Sequence, residues 1–262
     1  MDQQMPTGFG VIVIGDEILS GKRRDGHMPK VIELLAERGL ELNWARFLGD
    51  DPERLTETLQ ASMASRDVVF SFGGIGATPD DRTRQCAAAA AGVAIEAHPD
   101  GLRELEIQFG EEATPQRRRM VEFPKGSAII PNPVNRIPGF SVGHHHFVPG
   151  FPNMGWPMIA WVLDHHYSHL HATGLNKERT LTVYGMRESH AIPLLEELTE
   201  QNPDVRLSCL PRWCPPEYEL ELGVRGANER VDAVMTRLQE RLTEEGADWR
   251  DTSAETGAGQ SL

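Results

Sequence analysis

The chain has 262 residues, 39% of them hydrophobic and 25% charged, with a formal charge of −13. That length buries one large core or two smaller ones, and the composition is globular rather than disordered or fibrous. The acidic balance excludes a broad nucleic-acid or anionic-membrane surface, which needs exposed Lys and Arg, so a phosphorylated ligand has to be held locally by amides, a few basic side chains or a metal.

The β-branched run from Gly10 to Gly15 predicts a strand buried on both faces. Val31, Leu34 and Leu35 share one face of a helix predicted over 29–38, with Gly39 as its stop. A strand over 42–48 follows, then a helix opening near Asp51, Pro52 and Glu53 and carrying Leu55, Leu59 and Met63, then a strand over 67–72. The next helix is predicted to start with Thr78 as N-cap, Pro79 in its first position and Asp81 in its third, and to end at Gly92. Strands alternating with helices indicate an α/β fold with a mostly parallel sheet, covered on both faces, that binds ligands at the carboxyl ends of its strands.

From Pro115 to Pro157 the texture turns to proline- and glycine-punctuated segments, with strands expected at 128–130 and around His146, Phe147 and Val148. A helix over 158–171 closes a first domain, 1–172. Beyond a boundary at 172–176, a strand (179–184), a helix (192–201), two strands (205–209 and 217–224) and a helix (229–243) predict a small α+β domain spanning 177–245. The acidic tail, 246–262, is poor in apolar residues other than Trp249 and is read as disordered. Cys86, Cys209 and Cys214 fit neither a zinc site nor a disulfide framework. With no basic leader and no apolar run of membrane length, a cytoplasmic protein is expected.

The segment 70–83, FSFGGIGATPDDRT, carries the chemistry. Gly73, Gly74 and Gly76 let a ligand approach the main chain, and the helix start behind them is a ready anion site. Acids in a first helical turn are also ordinary caps that need no ligand. Asp50 and Asp51 on the neighbouring strand end favour the functional reading, because a divalent cation bridging acids and phosphate oxygens explains carboxylates at a phosphate cradle. His144, His145 and His146 alternate faces on a strand and cannot all reach one ion, so they are read as a hairpin rim. His165 and His169, with His166 and His171 nearby, are read as a helix end at a domain or subunit contact.

The order and spacing of several motifs carry a family resemblance over most of the chain. The segment Gly73 to Thr83 resembles the GGxGxT(x)nD(x)T signature of the molybdopterin-binding domain family, which includes MoaB and Mog, and is closer still to the GGLGPTxDDxT form of the CinA N-terminal part. Gly15 to Gly21, Gly49 to Asp51, Pro131 to Phe140 and Pro149 to Pro152 resemble further CinA motifs in the same order, and 179–242 resembles the α+β module that follows.

The resemblance implies a three-layer molybdopterin-binding-type domain followed by a small α+β domain, and a homo-oligomer, dimer or trimer. It implies a nucleotide or pterin phosphate as ligand, with neither nucleic acid nor membrane as partner. Asp50 and Asp81 correspond to the acids that Mog-type proteins need when molybdopterin is adenylylated. CinA-type domains are associated instead with metal-dependent hydrolysis of nucleotide diphosphates such as ADP-ribose.

The metal would be Mg²⁺, Mn²⁺ or Co²⁺, with a monovalent cation beside it, and Glu17 joins Asp50 and Asp81 as a candidate ligand. Gly73, Gly74, Gly76, Thr78, Asp80, Thr83, Pro149 and Gly150 are the expected phosphate and ligand contacts. Arg117 is the cation expected at the phosphate, and His27 lies on a ligand-facing loop. The motifs depart from CinA where His27, Asn135 and Asn153 stand. The resemblance does not extend to CinA's amidase domain, so nicotinamide-nucleotide deamidation is not implied. An enzyme of phosphoanhydride chemistry, a molybdopterin carrier and a scaffold with a decayed pocket are the readings carried forward.

Overall fold

The β-branched run forms strand β1 (Phe9–Ile14), buried along its whole length, in a computed structural model that describes residues 6–171, 176–215 and 217–253. The chain forms two units, 1–171 and 172–262. In the first, β1 is followed by α1 (Asp16–Leu19), α2 (His27–Ala36), β2 (Trp44–Leu48), α3 (Pro52–Met63), β3 (Val68–Phe72), α4 (Thr83–Ala91), β4 (Ile95–Ala97) and α5 (Pro99–Phe109). Then come α6 (Pro115–Arg118), β5 (Glu122–Pro124), β6 (Ala128–Ile130), β7 (Gly139–Val142), β8 (His145–Val148) and α7 (Pro152–His166).

Six strands make one sheet in the order β2-β1-β3-β8-β7-β6, and β4 pairs with β5 separately. Pairing is parallel from β2 to β8, and β7 and β6 extend it antiparallel. Alternation along β1 sends Val11 and Val13 to a cluster with Val31, Leu35 and Ile159, and Ile12 and Ile14 to another with Leu55, Leu59 and Ala87. Helices therefore cover both faces, and the three-layer α/β architecture expected from the sequence is present.

Two departures come from local hydrogen bonds. Helix α4 begins at Thr83 rather than after Thr78, because the Asp81 carboxylate accepts from the Thr78 amide (2.9 Å) and hydroxyl, and the Asp81 amide donates to the Thr78 carbonyl (3.1 Å), closing a separate turn. Helix α5 lies where no helix was predicted; His98 caps it, its Nδ1 accepting from the amides of Asp100 (3.2 Å) and Gly101 (3.4 Å).

The second unit comprises β9 (Asn176–Tyr184), α8 (Glu188–Gln201), β10 (Arg206–Cys214), β11 (Glu217–Ala227), α9 (Asn228–Glu244) and β12 (Asp248–Asp251). Its antiparallel sheet, ordered β10-β11-β9-β12, buries Leu181, Leu220 and Leu222 against Leu198 and Leu238 of the two helices. Strand β12 corrects the expectation that the chain is disordered from 246: it pairs with β9, and Trp249 packs against the same core, giving a polar segment something apolar to bury. The remainder of that tail, 254–262, lies outside the described residues, as does 172–175 at the expected boundary. Among the described residues no helix is long and apolar enough to cross a membrane.

Candidate functional site

The carboxyl ends of β1, β2, β3 and β8 open into one cleft of about 650 Å³, the position where parallel α/β sheets hold ligands. Gly15, Glu17, Asp50, the turn after β3 and the turn after β8 line it together.

The turn after β3 is shaped by what surrounds it. Gly73 (φ 104°) and Gly74 (φ 66°) adopt left-handed conformations, and a side chain on Gly73 would strike the Ile14 carbonyl oxygen. The amides of 74–77 donate to no acceptor among the described residues, so four backbone donors are left beside the cleft. Arg84, 2% exposed, holds the turn from behind: Nη2 donates to the Gly76 carbonyl at 2.7 Å, and Nη1 to the carbonyls of Arg119 and Glu122. Sequence reasoning missed this residue; its only signal was a charge on the inward face of an alanine-rich helix.

Thr83, expected as a ligand contact, is not among the residues that line the cleft. It is fully buried, its hydroxyl donates to the Gly73 carbonyl (3.0 Å) and its amide to that of Gly74 (3.0 Å), so it pins the turn to α4. Thr78, Asp80 and Asp81 do line the cleft, with the Thr78 hydroxyl and one Asp81 oxygen engaged with each other. Pro149 and Gly150 form the facing turn, where a Cβ on Gly150 would lie 3.3 Å from Gly73 Cα. His27 joins the walls. It is buried, stacks on Phe72 at 4.4 Å and accepts from Trp156 Nε1 (3.2 Å). Burial pulls its imidazole below the usual range, which keeps it neutral.

Asp50 and Asp16 exchange hydrogen bonds, the Asp16 amide donating to Asp50 Oδ2 (3.1 Å) and the Asp50 amide to Asp16 Oδ1 (3.2 Å). Burial first, and then the charges of Asp16, Glu17 and Asp80, push the Asp50 carboxyl up. No three His, Cys, Asp or Glu side chains among the described residues gather closely enough to cage an ion. Asp50 and Glu17 both line the cleft, and one or two carboxylates are a donor set that Mg²⁺ would complete with water and phosphate oxygens.

Arg117 is not at the cleft. Its Nη1 donates to the carbonyl (2.9 Å) and carboxylate (3.0 Å) of Glu112, and its guanidinium lies 4.2 Å from the Phe109 ring centroid. Arg23 and Arg24, which the sequence reading passed over, line the cleft instead. Of the histidine run only His144 sits at the exposed turn of the β7–β8 hairpin; His145 and His146 are each 2% exposed and belong to the core of β8.

A family model described as "probable molybdopterin binding domain" matches residues 10–168. A CinA-like protein of Anaeromyxobacter dehalogenans is 31% identical over 245 residues, covering 88% of this chain and 58% of the relative. One of Synechococcus sp. is 29% identical, covering 92% and 60%. The chain thus spans somewhat over half the length of these curated relatives. A crystal structure of the protein CinA, of unknown function, from Thermoplasma acidophilum superposes with a TM-score of 0.56 at 26% identity, covering 61% of this chain and 97% of that one. The glycine turn, the strand-end acids and the match across 10–168 agree, and the chain belongs to the family of probable molybdopterin-binding domains.

Proposed function

We propose that the cleft binds a phosphorylated heteroaromatic ligand, a pterin phosphate or a nucleotide, with its phosphate against the amides of 74–77 and a divalent cation between that phosphate and Asp50. The observation that carries this reading is the meeting of four unpartnered amides with a charge-crowded carboxylate in one cleft. Phe72, Ile75 and Met154 supply an apolar wall for a flat ring. The family's description favours a pterin. Asp50 and Glu17 would hold the cation, which when bound screens charge on phosphoryl oxygens. Asp81, already engaged with Thr78, shapes the turn.

Calorimetric titration with a molybdopterin-type pterin phosphate and with ADP-ribose tests this. Mg²⁺-dependent binding that weakens about tenfold in Asp50→Asn is expected; affinity indifferent to both metal and substitution sinks the cation site.

A second reading, hydrolysis of a phosphoanhydride in a nucleotide diphosphate, is favoured by the meeting of the turn amides with several carboxylates, Glu17, Asp50, Asp80 and Asp81, along one cleft. A cleft carboxylate that does not hold the cation, such as Asp80, would take a proton from the attacking water as the water–phosphorus bond forms and the anhydride P–O bond breaks, while the turn amides meet the charge on the phosphoryl oxygens. Release of AMP from ADP-ribose with Mg²⁺, Mn²⁺ or Co²⁺ is the expected outcome. Binding without release under all three leaves a carrier.

A further inference from the structure

Charge in the cleft is unevenly answered. Glu17, Asp50, Asp80 and Asp81 line it, and a phosphate entering beside them meets repulsion that neutral amides do not cancel. The loop between α1 and α2 supplies what the turn lacks. The Arg23 amide donates to the Glu17 carbonyl at 3.0 Å, folding the loop back on α1, and both Arg23 and Arg24 reach the cleft lining. The adjacent carboxylate pairs with neither, because Asp25 accepts from the amides of His27 (2.8 Å) and Met28 (3.0 Å) at the start of α2. Both arginines are exposed, and neither guanidinium has a hydrogen-bond or ion-pair partner among the described residues.

We infer that Arg23 and Arg24 together grip a phosphate monoester of the ligand and make the cleft selective for a terminally phosphorylated molecule over its dephosphorylated counterpart. The inference rests on the reading of the cleft as a binding site. Two guanidiniums carry the two positive charges that a monoester dianion calls for, and each presents parallel N–H donors to a pair of phosphate oxygens. The turn amides fix where the phosphate sits; the arginines supply the charge that keeps it there.

The test is calorimetric titration of AMP against adenosine, and of neopterin monophosphate against neopterin, with and without Mg²⁺. The proteins are the wild-type chain, Arg23→Gln/Arg24→Gln and Arg23→Lys/Arg24→Lys. The wild type is expected to prefer the phosphorylated member of at least one pair by about tenfold or more. The Gln variant should lose that preference with an unchanged melting temperature and unchanged affinity for the dephosphorylated member, and the Lys variant, which keeps charge but loses the fork, should retain part of it. A folded Gln variant with the full preference overturns the inference and leaves the binding reading standing. A wild type that binds no member of either pair, with or without Mg²⁺, overturns the binding reading and this inference with it.

Discussion

At the amino end of β8 the polar groups answer one another, whereas at the carboxyl ends of β1, β2, β3 and β8 they are left facing a cleft. His146 pairs Nδ1 with Ser141 Oγ (2.8 Å) and Nε2 with Tyr167 OH (2.8 Å), His144 pairs Nδ1 with the same phenol (3.0 Å), and His145 pairs Nε2 with Ser62 Oγ (2.9 Å). A cavity of about 390 Å³ lined by His144, His146, His166 and His169 lies there, yet both ring nitrogens of His146 and one of His144 are engaged, and among the described residues no three His, Cys, Asp or Glu side chains gather to hold an ion. The opposite end has, among the described residues, four amides and two arginines without partners and a carboxylate crowded by like charges. Paired imidazoles hold the structure together; unanswered donors and charges line the cleft proposed to bind ligand.

The strongest attack on this contrast removes the paired group at the ligand end. Arg84→Met leaves three carbonyls without their donor and should cost about 3–5 kcal/mol, read from denaturant unfolding, with loss of ligand binding from a loosened turn. If binding survives in a folded variant, the turn does not need its anchor.

Acid should act next, and at the other end. Burial pulls His145 down to about 4 from its ordinary 6.5, so the folded state refuses a proton that the unfolded chain accepts. Stability is therefore full above pH 6.5 and lost as pH falls towards 4, by on the order of 3 kcal/mol. Unfolding at pH 7 and pH 4.5 measures it, and His145→Gln should flatten the slope.

Smaller still, Tyr167→Phe strips the phenol shared by two imidazoles and should cost about 1–2 kcal/mol while leaving ligand affinity untouched. Asp50→Asn should have the opposite sign. Its folded carboxyl is raised, so the ionised form opposes folding at neutral pH, and neutralising it should stabilise by about 0.5 kcal/mol at low salt while weakening cation-dependent binding. A loss of stability would mean that the Asp16 exchange outweighs the repulsion.

Much of the first unit could be read from its residues. The apolar runs of β1 and β3 and the Asp51-Pro52 start of α3, where the Asp51 carboxylate accepts from the Arg54 amide at 2.9 Å, obey local rules. The glycine turn and Asp50 were legible because strand ends converge by topology. What escaped depended on partners distant in the chain or on atypical local ones. Arg84 acts through carbonyls at 76, 119 and 122, which only the fold assembles. Arg117 was misplaced because Glu112 and Phe109 claim it, and α5 hid behind a histidine cap, although Pro99 in its first turn was a usable sign. Trp249 was likewise the one sign of β12.

The cleft also has one wall that admits no variation and one that does. Side chains at Gly73 and Gly74 would collide with the Ile14 carbonyl and the Thr83 hydroxyl, so that wall is closed to mutation whatever the ligand. The loop carrying Arg23 and Arg24 is exposed, and only Gly21 at its start is held to glycine, by a backbone φ of 73°. If the cleft binds as proposed, ligand choice has room to diverge there, and a redesign would begin by rewriting residues 22–24 and leave the glycines alone.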